Sequence, residues 1–513
     1  TIIKLLDVMA GYKLNKFLFY LTEDEGWRLE MKDFPELTEV GARRGHTLND
    51  SLFLQPSYGS GPNPEDKNSY GNGHYTRADF IEILQHAQKL HIDVIPQFNL
   101  PGHARAAIKA MELRYHRLMA AGDVEGANEY RLIDTQDTSK YISAQGYFDN
   151  TVCVCQDQPL KFYTKIVEDV IEMYKEAGVE LTMIHTGGDE VPATAWKGSP
   201  ICQEFLKDKP EITSTRNLQG MFFGQLADLI LSKGLQTGAW EEAVMEFQDG
   251  GNWKPNPNFV GKNVFPYIWN NLWGQQDLGY KLANAGYPVI LCNVNNFYFD
   301  LAYNKDPREP GLYWAGFVDT EDAFSMVPFN VFESTKRDEM GKPYIPEVDY
   351  VNMEQLKPEA RKNIVGLQAQ LWGETLKGEK MLEYYTLPKL FGFAQRAWQG
   401  TPSWAGKEED ARINDYGQFL TTASQKDFQL LDNINGGYHY RIPPPGIKEE
   451  GGMIKMNSEY PTFQIRYTLD GSEPNSSSPI YKDPIQITQP MVITAATFNA
   501  KGRKGFTSKM EIK

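Results

Sequence analysis

The chain has 513 residues, a formal net charge of −15 at pH 7, and 41% hydrophobic residues. This length exceeds one ordinary hydrophobic core, so we expect several domains or one large barrel with an appendage. The negative charge disfavours nucleic acid as a partner, because phosphate binding requires a basic surface. No run of about 18 apolar residues is present, so the sequence predicts no membrane span.

The first ten residues have an amphipathic helical pattern, with neither an initiating methionine nor a signal-peptide pattern. Seven β-rich runs then alternate with helical stretches, which include 77–90, 159–177, 218–233 and 274–285. The predicted strands are 16–22, 93–99, 181–190, 236–241, 264–269, 288–293 and 366–372. This alternation predicts a parallel sheet with helical crossovers, and it fits a (β/α)8 TIM barrel lacking one strand. We expect the eighth strand to precede Thr1 in a longer natural protein.

The pattern changes near Gly436, and a proline-rich turn at 443–446 follows. Beyond it come short alternating runs at 462–469, 485–487 and 492–498, which are typical of a small β-sandwich. The sequence therefore predicts two domains: a barrel over 1–435 and an immunoglobulin-like β-sandwich over 436–513.

Two adjacent carboxylates, Asp189 and Glu190, end the third predicted strand in the run His185-Thr186-Gly187-Gly188-Asp189-Glu190. Side chains alternate along a strand, but the two glycines permit a tight bend, so both acids could face one pocket. Paired carboxylates suit glycosidic bond cleavage, in which one acid protonates the leaving oxygen. An isolated Asp-Glu pair is more often a solvated turn, so its surroundings matter.

Acidic, aromatic and histidine side chains also follow the other predicted strands. They are Glu23, Asp24, His103, Trp240, Trp269, Tyr298, Asp300, Trp372 and Glu374. Because the active site of a (β/α)8 barrel gathers at the carboxyl ends of its strands, this one-sided placement favours an active site over chance scatter.

Several segments resemble the family 20 glycoside hydrolases, the β-N-acetylhexosaminidases, and are most similar to the bacterial chitobiases. They are 12–16, 26–28, 101–103, 185–190 and 368–374. The run 467–474 resembles the small carboxyl-terminal sandwich of the chitobiases. The resemblance implies an exo-acting enzyme with a catalytic barrel. It would release terminal N-acetylglucosamine or N-acetylgalactosamine from chitooligosaccharides or glycans, with retention.

The resemblance also implies substrate-assisted catalysis, in which the acetamido oxygen of the substrate attacks the anomeric carbon. Glu190 would be the general acid and base, and Asp189 would orient the acetamido group. His103 would lie between Glu190 and a further carboxylate, Glu23. We expect the Asp189 charge to raise the pKa of Glu190.

The remaining predicted site residues would bind the sugar. Three aromatic residues would form the walls around the acetamido methyl group and the ring: Trp240, Trp269 and Trp372. Tyr298 would hydrogen-bond the acetamido carbonyl, with Asp300 close by, and Glu374 would bind hydroxyls of the terminal sugar. Trp314 is a candidate for the next subsite, although a packed loop anchor is equally consistent with it. No metal or cofactor is implied, and the sequence does not indicate an oligomeric state.

Two departures from the family pattern leave alternatives open. The family usually has aspartate at the position of Glu23, although Asp24 could substitute, and its sugar-binding arginine lies on a strand that this chain does not include. A carbohydrate-binding protein that has lost catalysis is therefore one alternative. A family member that releases a disaccharide, with a wider pocket around Glu374, is another. The sandwich domain could be a structural buttress or a polysaccharide binder.

The four cysteines form no zinc pattern with nearby histidines. Cys153 and Cys155 are too close in sequence to bond to each other, but one disulfide elsewhere remains open. The family resemblance implies a secreted, periplasmic or lysosomal protein.

Overall fold

The computed structural model describes residues 1–248 and 252–513. These residues divide into two compact units. The first comprises 1–298 and 328–376, and the second comprises 299–327 and 377–513. The predicted domain boundary after residue 435 stays a prediction.

The first unit is built on a parallel seven-stranded sheet whose strands lie in chain order. Its strands are β1 (Lys16–Tyr20), β2 (Asp93–Gln97), β3 (Met183–His185), β4 (Gln236–Trp240), β5 (Val264–Ile268), β6 (Val289–Leu291) and β7 (Ile364–Leu367). All seven predicted strands are confirmed, each shorter than expected. Together with the carboxyl-terminal β-sheets described below, this half-barrel arrangement confirms the predicted fold class. The strands β1 and β7 are the two edges of the sheet.

Helices cross between these strands, as expected for parallel pairing. The α-helices of the first unit are Ile2–Gly11, Glu36–Gly41, Arg77–Lys89, Arg105–Ala120, Val124–Glu129, Gln158–Ala177, Pro200–Lys207, Leu218–Ser232, Leu278–Asn284, Val294–Phe297, Val331–Ser334 and Pro346–Asp349. A short 3₁₀ helix, Glu241–Val244, follows β4. The helix Gln158–Ala177 illustrates why they form, because Phe162, Ile166 and Met173 recur on its buried face. It ends at Gly178, whose φ of +69° suits glycine at a helix terminus.

Two antiparallel hairpins accompany the parallel sheet. One pairs Thr22–Glu23 with Gly26–Trp27, directly after β1. The other pairs Met245–Phe247 with Trp253–Pro255, after β4. The first hairpin places Glu23 and Asp24 beside the carboxyl end of β1.

The second unit combines helices with two three-stranded antiparallel sheets. Its helices are Thr320–Phe324, Gly378–Thr386, Lys389–Trp398, Glu409–Thr422 and Phe428–Asn433. Its strands are β8 (Gly446–Glu450), β9 (Met453–Asn457), β10 (Gln464–Thr468), β11 (Ile485–Gln486), β12 (Met491–Phe498) and β13 (Lys504–Ile512). The sheets have the orders β8-β9-β11 and β10-β12-β13. The three predicted runs correspond to β10, β11 and β12.

The cysteines form one disulfide, between Cys155 and Cys202, and the thiols of Cys153 and Cys292 are buried. The expectation that Cys153 and Cys155 do not bond to each other is confirmed. Among the helices of the described residues, none has the length and apolar character needed to cross a bilayer.

Candidate active site

The Asp189–Glu190 pair lies on a tight turn beyond β3, which ends at His185. Gly187 and Gly188 adopt φ values of +71° and +91°, and Glu190 follows at +51°. A Cβ on Gly187 would approach Asn99 Oδ1 to 2.3 Å. Glycine is therefore required at this position both by backbone conformation and by space, and the bend turns the two acids toward the carboxyl ends of the strands.

His103 connects the pair to a third carboxylate. Its Nδ1 atom lies 2.7 Å from Glu23 Oε1. Its Nε2 atom lies 3.6 Å from Asp189 Oδ2 and 3.5 Å from Glu190 Oε2. The longer side chain of Glu23 thus reaches the histidine, in the position where the family usually has aspartate.

Glu23 is itself fixed by hydrogen bonds. The Tyr20 hydroxyl donates to Glu23 Oε2, and the Asp24 amide donates to Glu23 Oε1 at 2.7 Å. The Asn99 side chain in turn donates to the Tyr20 hydroxyl at 2.6 Å. These contacts hold the carboxylate against His103 in one orientation.

Asp24 is engaged differently from Glu23. Its carboxylate accepts hydrogen bonds from the Arg105 backbone amide at 3.1 Å and from Asn150 Nδ2 at 2.9 Å. Its nearest approach to His103 Nδ1 is 3.6 Å. Asp24 therefore anchors the neighbouring backbone, and Glu23 makes the shorter contact with the histidine.

The fold brings Glu23, Asp24 and His103 together, with potential ligand atoms within 4.8 Å of one another. Their sequence spacing did not indicate such a cluster. Within the described part of the chain, each of the three already hydrogen-bonds with protein groups. Those contacts account for the cluster, and we assign it no metal.

Burial and mutual charge perturb the pKa values of the site. Burial alone lowers the pKa of His103, but the charges of Glu23 and Asp189 outweigh it and raise that pKa well above its usual value. Burial, with the charges of Glu190 and Glu23, raises the pKa of Asp189 to about 7. His103 and Asp189 thus share a strongly coupled environment in which their protonation is linked.

The predicted upward shift of the Glu190 pKa is wrong. Burial does raise this pKa, but the hydrogen bond and positive charge of His103 lower it more, and Gln145 adds to the lowering. Gln145 Nε2 donates to Glu190 Oε2 at 2.9 Å. The sum of these effects places the pKa of Glu190 below its usual value, because His103 and Gln145 both favour the charged form of the carboxylate.

Aromatic rings form the other half of the site. The Trp372 ring centroid lies 5.9 Å from that of Trp240, 4.9 Å from that of Tyr20 and 6.0 Å from that of Tyr298. Trp240 is fully buried and also packs against His185 at 5.1 Å. The structure therefore joins three of the predicted binding residues, Trp240, Trp372 and Tyr298, into one cluster that continues through Tyr20 to Glu23.

Trp269 and Glu374 also belong to the first unit. Trp269 is nearly buried at the end of β5, where its backbone amide donates to Glu241 Oε2 at 3.1 Å. Glu374 is exposed, yet reduced hydration and then the charges of Glu23, Glu25 and Glu190 raise its pKa. Glu374 thus lies within electrostatic range of Glu23 and Glu190, and its role in binding hydroxyls stays a prediction.

Asp300 and Trp314 belong to the second unit, and their roles stay predictions. Asp300 is buried, and the backbone on both sides of it is held by Lys389. Lys389 Nζ donates to the carbonyl oxygens of Phe299 at 2.8 Å and Leu301 at 2.7 Å. Trp314 is 42% exposed.

Sequence reasoning missed several residues that contact the carboxylates or the groups holding them. Tyr20 and Asn99 lie at strand ends, where the same rule that selected His103 could have found them. Glu242 lies two residues after the end of β4, and its Oε2 atom accepts the Glu190 backbone amide at 3.1 Å. Gln145 lies in an irregular loop, where no sequence pattern indicated it.

Comparison with known proteins identifies the family. The glycosyl hydrolase family 20 catalytic domain matches residues 1–401, and the chitobiase/beta-hexosaminidase C-terminal domain matches residues 443–509. A beta-hexosaminidase of Vibrio vulnificus is 33% identical, and the alignment covers 98% of this chain and 60% of that protein. The N,N'-diacetylchitobiase of Vibrio harveyi is 34% identical, with 92% of this chain and 56% of that protein covered.

A solved structure shows the same relationship. The exo beta-N-acetylglucosaminidase of Vibrio harveyi in complex with N-acetylglucosamine has a TM-score of 0.60 and 28% sequence identity, over 86% of this chain and 56% of that chain. This chain thus spans somewhat more than half the length of these relatives. Because the catalytic-domain match alone extends over residues 1–401 of 513, the chain belongs to glycosyl hydrolase family 20.

Proposed function

We propose that this chain carries the active site of an exo-acting β-N-acetylhexosaminidase. Its substrates would be terminal non-reducing N-acetylglucosamine or N-acetylgalactosamine residues of chitooligosaccharides or glycans. The observation that best supports this function is the Asp189–Glu190 pair, whose carboxylates both lie within 3.6 Å of His103 Nε2. The names of the relatives, beta-hexosaminidase and chitobiase, support the same substrate class.

In the proposed reaction, Glu190 gives its proton to the glycosidic oxygen as the bond to the leaving group breaks. The acetamido carbonyl oxygen of the substrate supplies the electron pair to the anomeric carbon and closes an oxazolinium ring. The carboxylate of Asp189 stabilises the positive charge that develops on the acetamido nitrogen. Water then attacks the anomeric carbon and displaces the acetamido oxygen, which reopens the ring and restores the acetamido group. Glu190 takes a proton from this water, and the two inversions give net retention.

In the free site the pKa shifts of Glu190 and Asp189 are opposite to those that the proposed roles require, and binding of the substrate would reverse them. Glu190 has to be protonated for the first step, although its pKa lies below the usual value. A sugar that covers the site would strip water from Glu190 and raise its pKa. The acetamido N–H would in turn donate to Asp189 and lower the Asp189 pKa from about 7. Binding of substrate therefore favours a protonated Glu190 beside an ionised Asp189.

The aromatic cluster supports selectivity for an N-acetyl group. Trp240, Trp269 and Trp372 would enclose the acetamido methyl group and the sugar face, and Tyr298 would donate to the acetamido oxygen. Asp300 would lie close to the acetamido group, Glu374 would bind hydroxyls of the terminal sugar, and Trp314 is the candidate for the next subsite. Such a box keeps water from the oxazolinium ion and leaves a sugar without the acetyl group poorly held.

We also propose an oxidising location for the protein, secreted or periplasmic or lysosomal. The Cys155–Cys202 disulfide supports this placement, because cytosolic thiols are kept reduced.

The test is hydrolysis of p-nitrophenyl N-acetyl-β-glucosaminide, with p-nitrophenyl β-glucoside as the control substrate that lacks the acetamido group. We expect turnover of the first and none of the second. Asp189→Asn should abolish turnover while leaving affinity for N-acetylglucosamine within a few-fold. A wild-type protein that binds N-acetylglucosamine without turnover would contradict the enzymatic function and favour a carbohydrate-binding protein.

A further inference from the structure

Glu241 and Glu242 lie directly after β4, and their carboxylates accept hydrogen bonds from the loops that follow the two neighbouring strands. Glu242 Oε2 accepts the backbone amide of Glu190 at 3.1 Å, on the side of β3. Glu241 accepts the backbone amides of Trp269 at 3.1 Å and Asn270 at 3.0 Å, on the side of β5. Neighbouring residues on one short segment thus hold the loops of both flanking strands.

We propose that Glu241 and Glu242 are positioning residues of the site: Glu242 fixes the backbone of the general acid Glu190, and Glu241 fixes the turn that carries Trp269. This inference rests on the proposed function, in which Glu190 is the general acid and Trp269 is part of the aromatic wall around the sugar.

The backbone of Glu190 requires external support. Its φ of +51° is a left-handed conformation, which is strained for a residue with a Cβ. Such a conformation persists where the surroundings hold it in place. Glu242 accepts the amide of this strained residue and so fixes the backbone from which the Glu190 carboxylate projects.

The segment after β4 also packs against the turn itself. A Cβ on Gly188 would lie 2.8 Å from Ala243 Cβ, so the turn rests directly on the short helix Glu241–Val244. The Trp240 amide donates to the Gly187 carbonyl at 3.0 Å. Glu242 is therefore one of several contacts that hold this turn, and it is the contact that reaches Glu190.

Glu241 uses both of its oxygens. Oε2 meets the Trp269 amide and Oε1 meets the Asn270 amide, and the residue is nearly fully buried. A carboxylate accepts through either oxygen, and a protonated carboxyl can still accept through its hydroxyl lone pairs. An amide NH₂ group cannot accept, so glutamine at 241 would leave a buried backbone N–H facing another donor.

Glu242 accepts the hydrogen bond from the Glu190 amide through one oxygen, so a glutamine at position 242 should accept it equally well. Burial, followed by the charges of Asp189 and Glu241 and then of Glu190, raises the pKa of Glu242 well above its usual value. Glutamine has the same length, keeps an acceptor oxygen and carries no charge for burial and the neighbouring carboxylates to disfavour. Reach, rather than charge, is the property that the positioning role requires of Glu242.

Glu242→Gln and Glu242→Asp form a matched pair that separates reach from charge. Glutamine keeps the reach and removes the charge, whereas aspartate keeps the charge and withdraws the acceptor by one methylene. We expect Glu242→Gln to retain kcat and the pH profile within about twofold. We expect Glu242→Asp to lower kcat at least about tenfold with little change in KM and to shift the basic limb of the profile, because misplacement by about 1 Å can cost a hundredfold.

Glu241→Gln is the complementary variant. We expect it to raise KM at least about fivefold and to lower kcat less than Glu242→Asp does, because it disturbs the Trp269 turn and leaves the acid in place. Circular dichroism and the melting temperature establish that each variant is folded. Glutamine keeps the length of glutamate and aspartate removes one methylene group, so each variant retains a side-chain acceptor oxygen.

The outcomes separate the two levels of the proposal. An inert wild-type protein contradicts the proposed function. An active wild-type protein whose Glu242→Asp variant keeps the wild-type kcat and pH profile contradicts the positioning role of Glu242. Loss of kcat in Glu242→Gln with activity retained in Glu242→Asp also contradicts it, because charge would then be the required property. A KM unchanged in Glu241→Gln contradicts the role of Glu241.

Discussion

The two halves of the site are held in place by different forces. The acidic half, centred on His103, is fixed by hydrogen bonds to Glu23 and by the glycine turn that carries Asp189 and Glu190. The aromatic half, centred on Trp240 and Trp372, is fixed by ring packing and burial. Hydrogen bonds depend on the position and type of single atoms, whereas packing depends on volume. The acidic half should therefore respond to changes of one atom, and the aromatic half to changes of size.

The largest expected effect is on the acidic half. Glu190→Gln replaces one oxygen by NH₂ without a change of volume and removes the transferable proton. We expect kcat for p-nitrophenyl N-acetyl-β-glucosaminide to fall by about 10²–10⁴, which is the usual contribution of a general acid. The melting temperature should change by no more than a few degrees. A Glu190→Gln variant with kcat near that of the wild type would show that the acidic half does not respond to the change of a single atom.

The aromatic half should show its largest effect on stability. Trp240 is fully buried between His185, Tyr267 and Trp372. Trp240→Ala should cost about 3–5 kcal/mol of the free energy of unfolding, measured by urea denaturation, because it leaves a large cavity. Trp240→Phe is the control of intermediate volume and should cost less than the alanine variant. Equal losses in the two variants would show that volume does not govern this half.

The charge of Asp189 in the acidic half should destabilise the folded protein at high pH. Because the folded-state pKa of Asp189 is raised to about 7, ionising it destabilises the folded protein as pH rises from about 4 to 7. The full cost is present above pH 7 and disappears at low pH, where the group is protonated both folded and unfolded. Asp189→Asn should thus raise the melting temperature by a few degrees at about pH 8.

The same comparison at lower pH provides its control. The gain from Asp189→Asn should shrink as pH is lowered toward about 5. A variant that melts below the wild type at about pH 8 would contradict the inferred cost of the Asp189 charge.

The smallest expected effect concerns the edge of the aromatic half. Trp372 is partly exposed, and it contacts Tyr20 and Tyr298. Trp372→Phe keeps an aromatic ring with less area, so we expect KM to rise by a few-fold and the melting temperature to change little. A loss of kcat as large as that of Glu190→Gln would show that Trp372 supports the acid directly.

Much of this architecture follows from local sequence. The five central strands of the parallel sheet are short and mostly buried, and His103, Asp189 and Trp240 lie at their carboxyl ends or in the turns that follow. The strand β8 was missed because its sequence, Gly-Ile-Lys-Glu-Glu, is mostly exposed and charged. An exposed edge strand does not show the hydrophobic pattern that identifies a buried strand.

The parts of the site that escaped prediction depend on distances between remote segments. Gln145 reaches Glu190 from an irregular loop, and no periodicity marks such a residue. The direction of the Glu190 pKa shift was wrong because sequence adjacency drew attention to Asp189. The fold instead places His103, distant in sequence, against the acid and gives it the larger effect.

The Cys155–Cys202 disulfide spans 47 residues of sequence and encloses both β3 and the Asp189–Glu190 turn. A protease that cuts once inside this covalent loop would leave the two fragments joined. Such a nicked chain would migrate as one band on a denaturing gel without reductant and as two bands after reduction. The acid pair could then remain attached to the rest of the chain after a cut that would otherwise separate it.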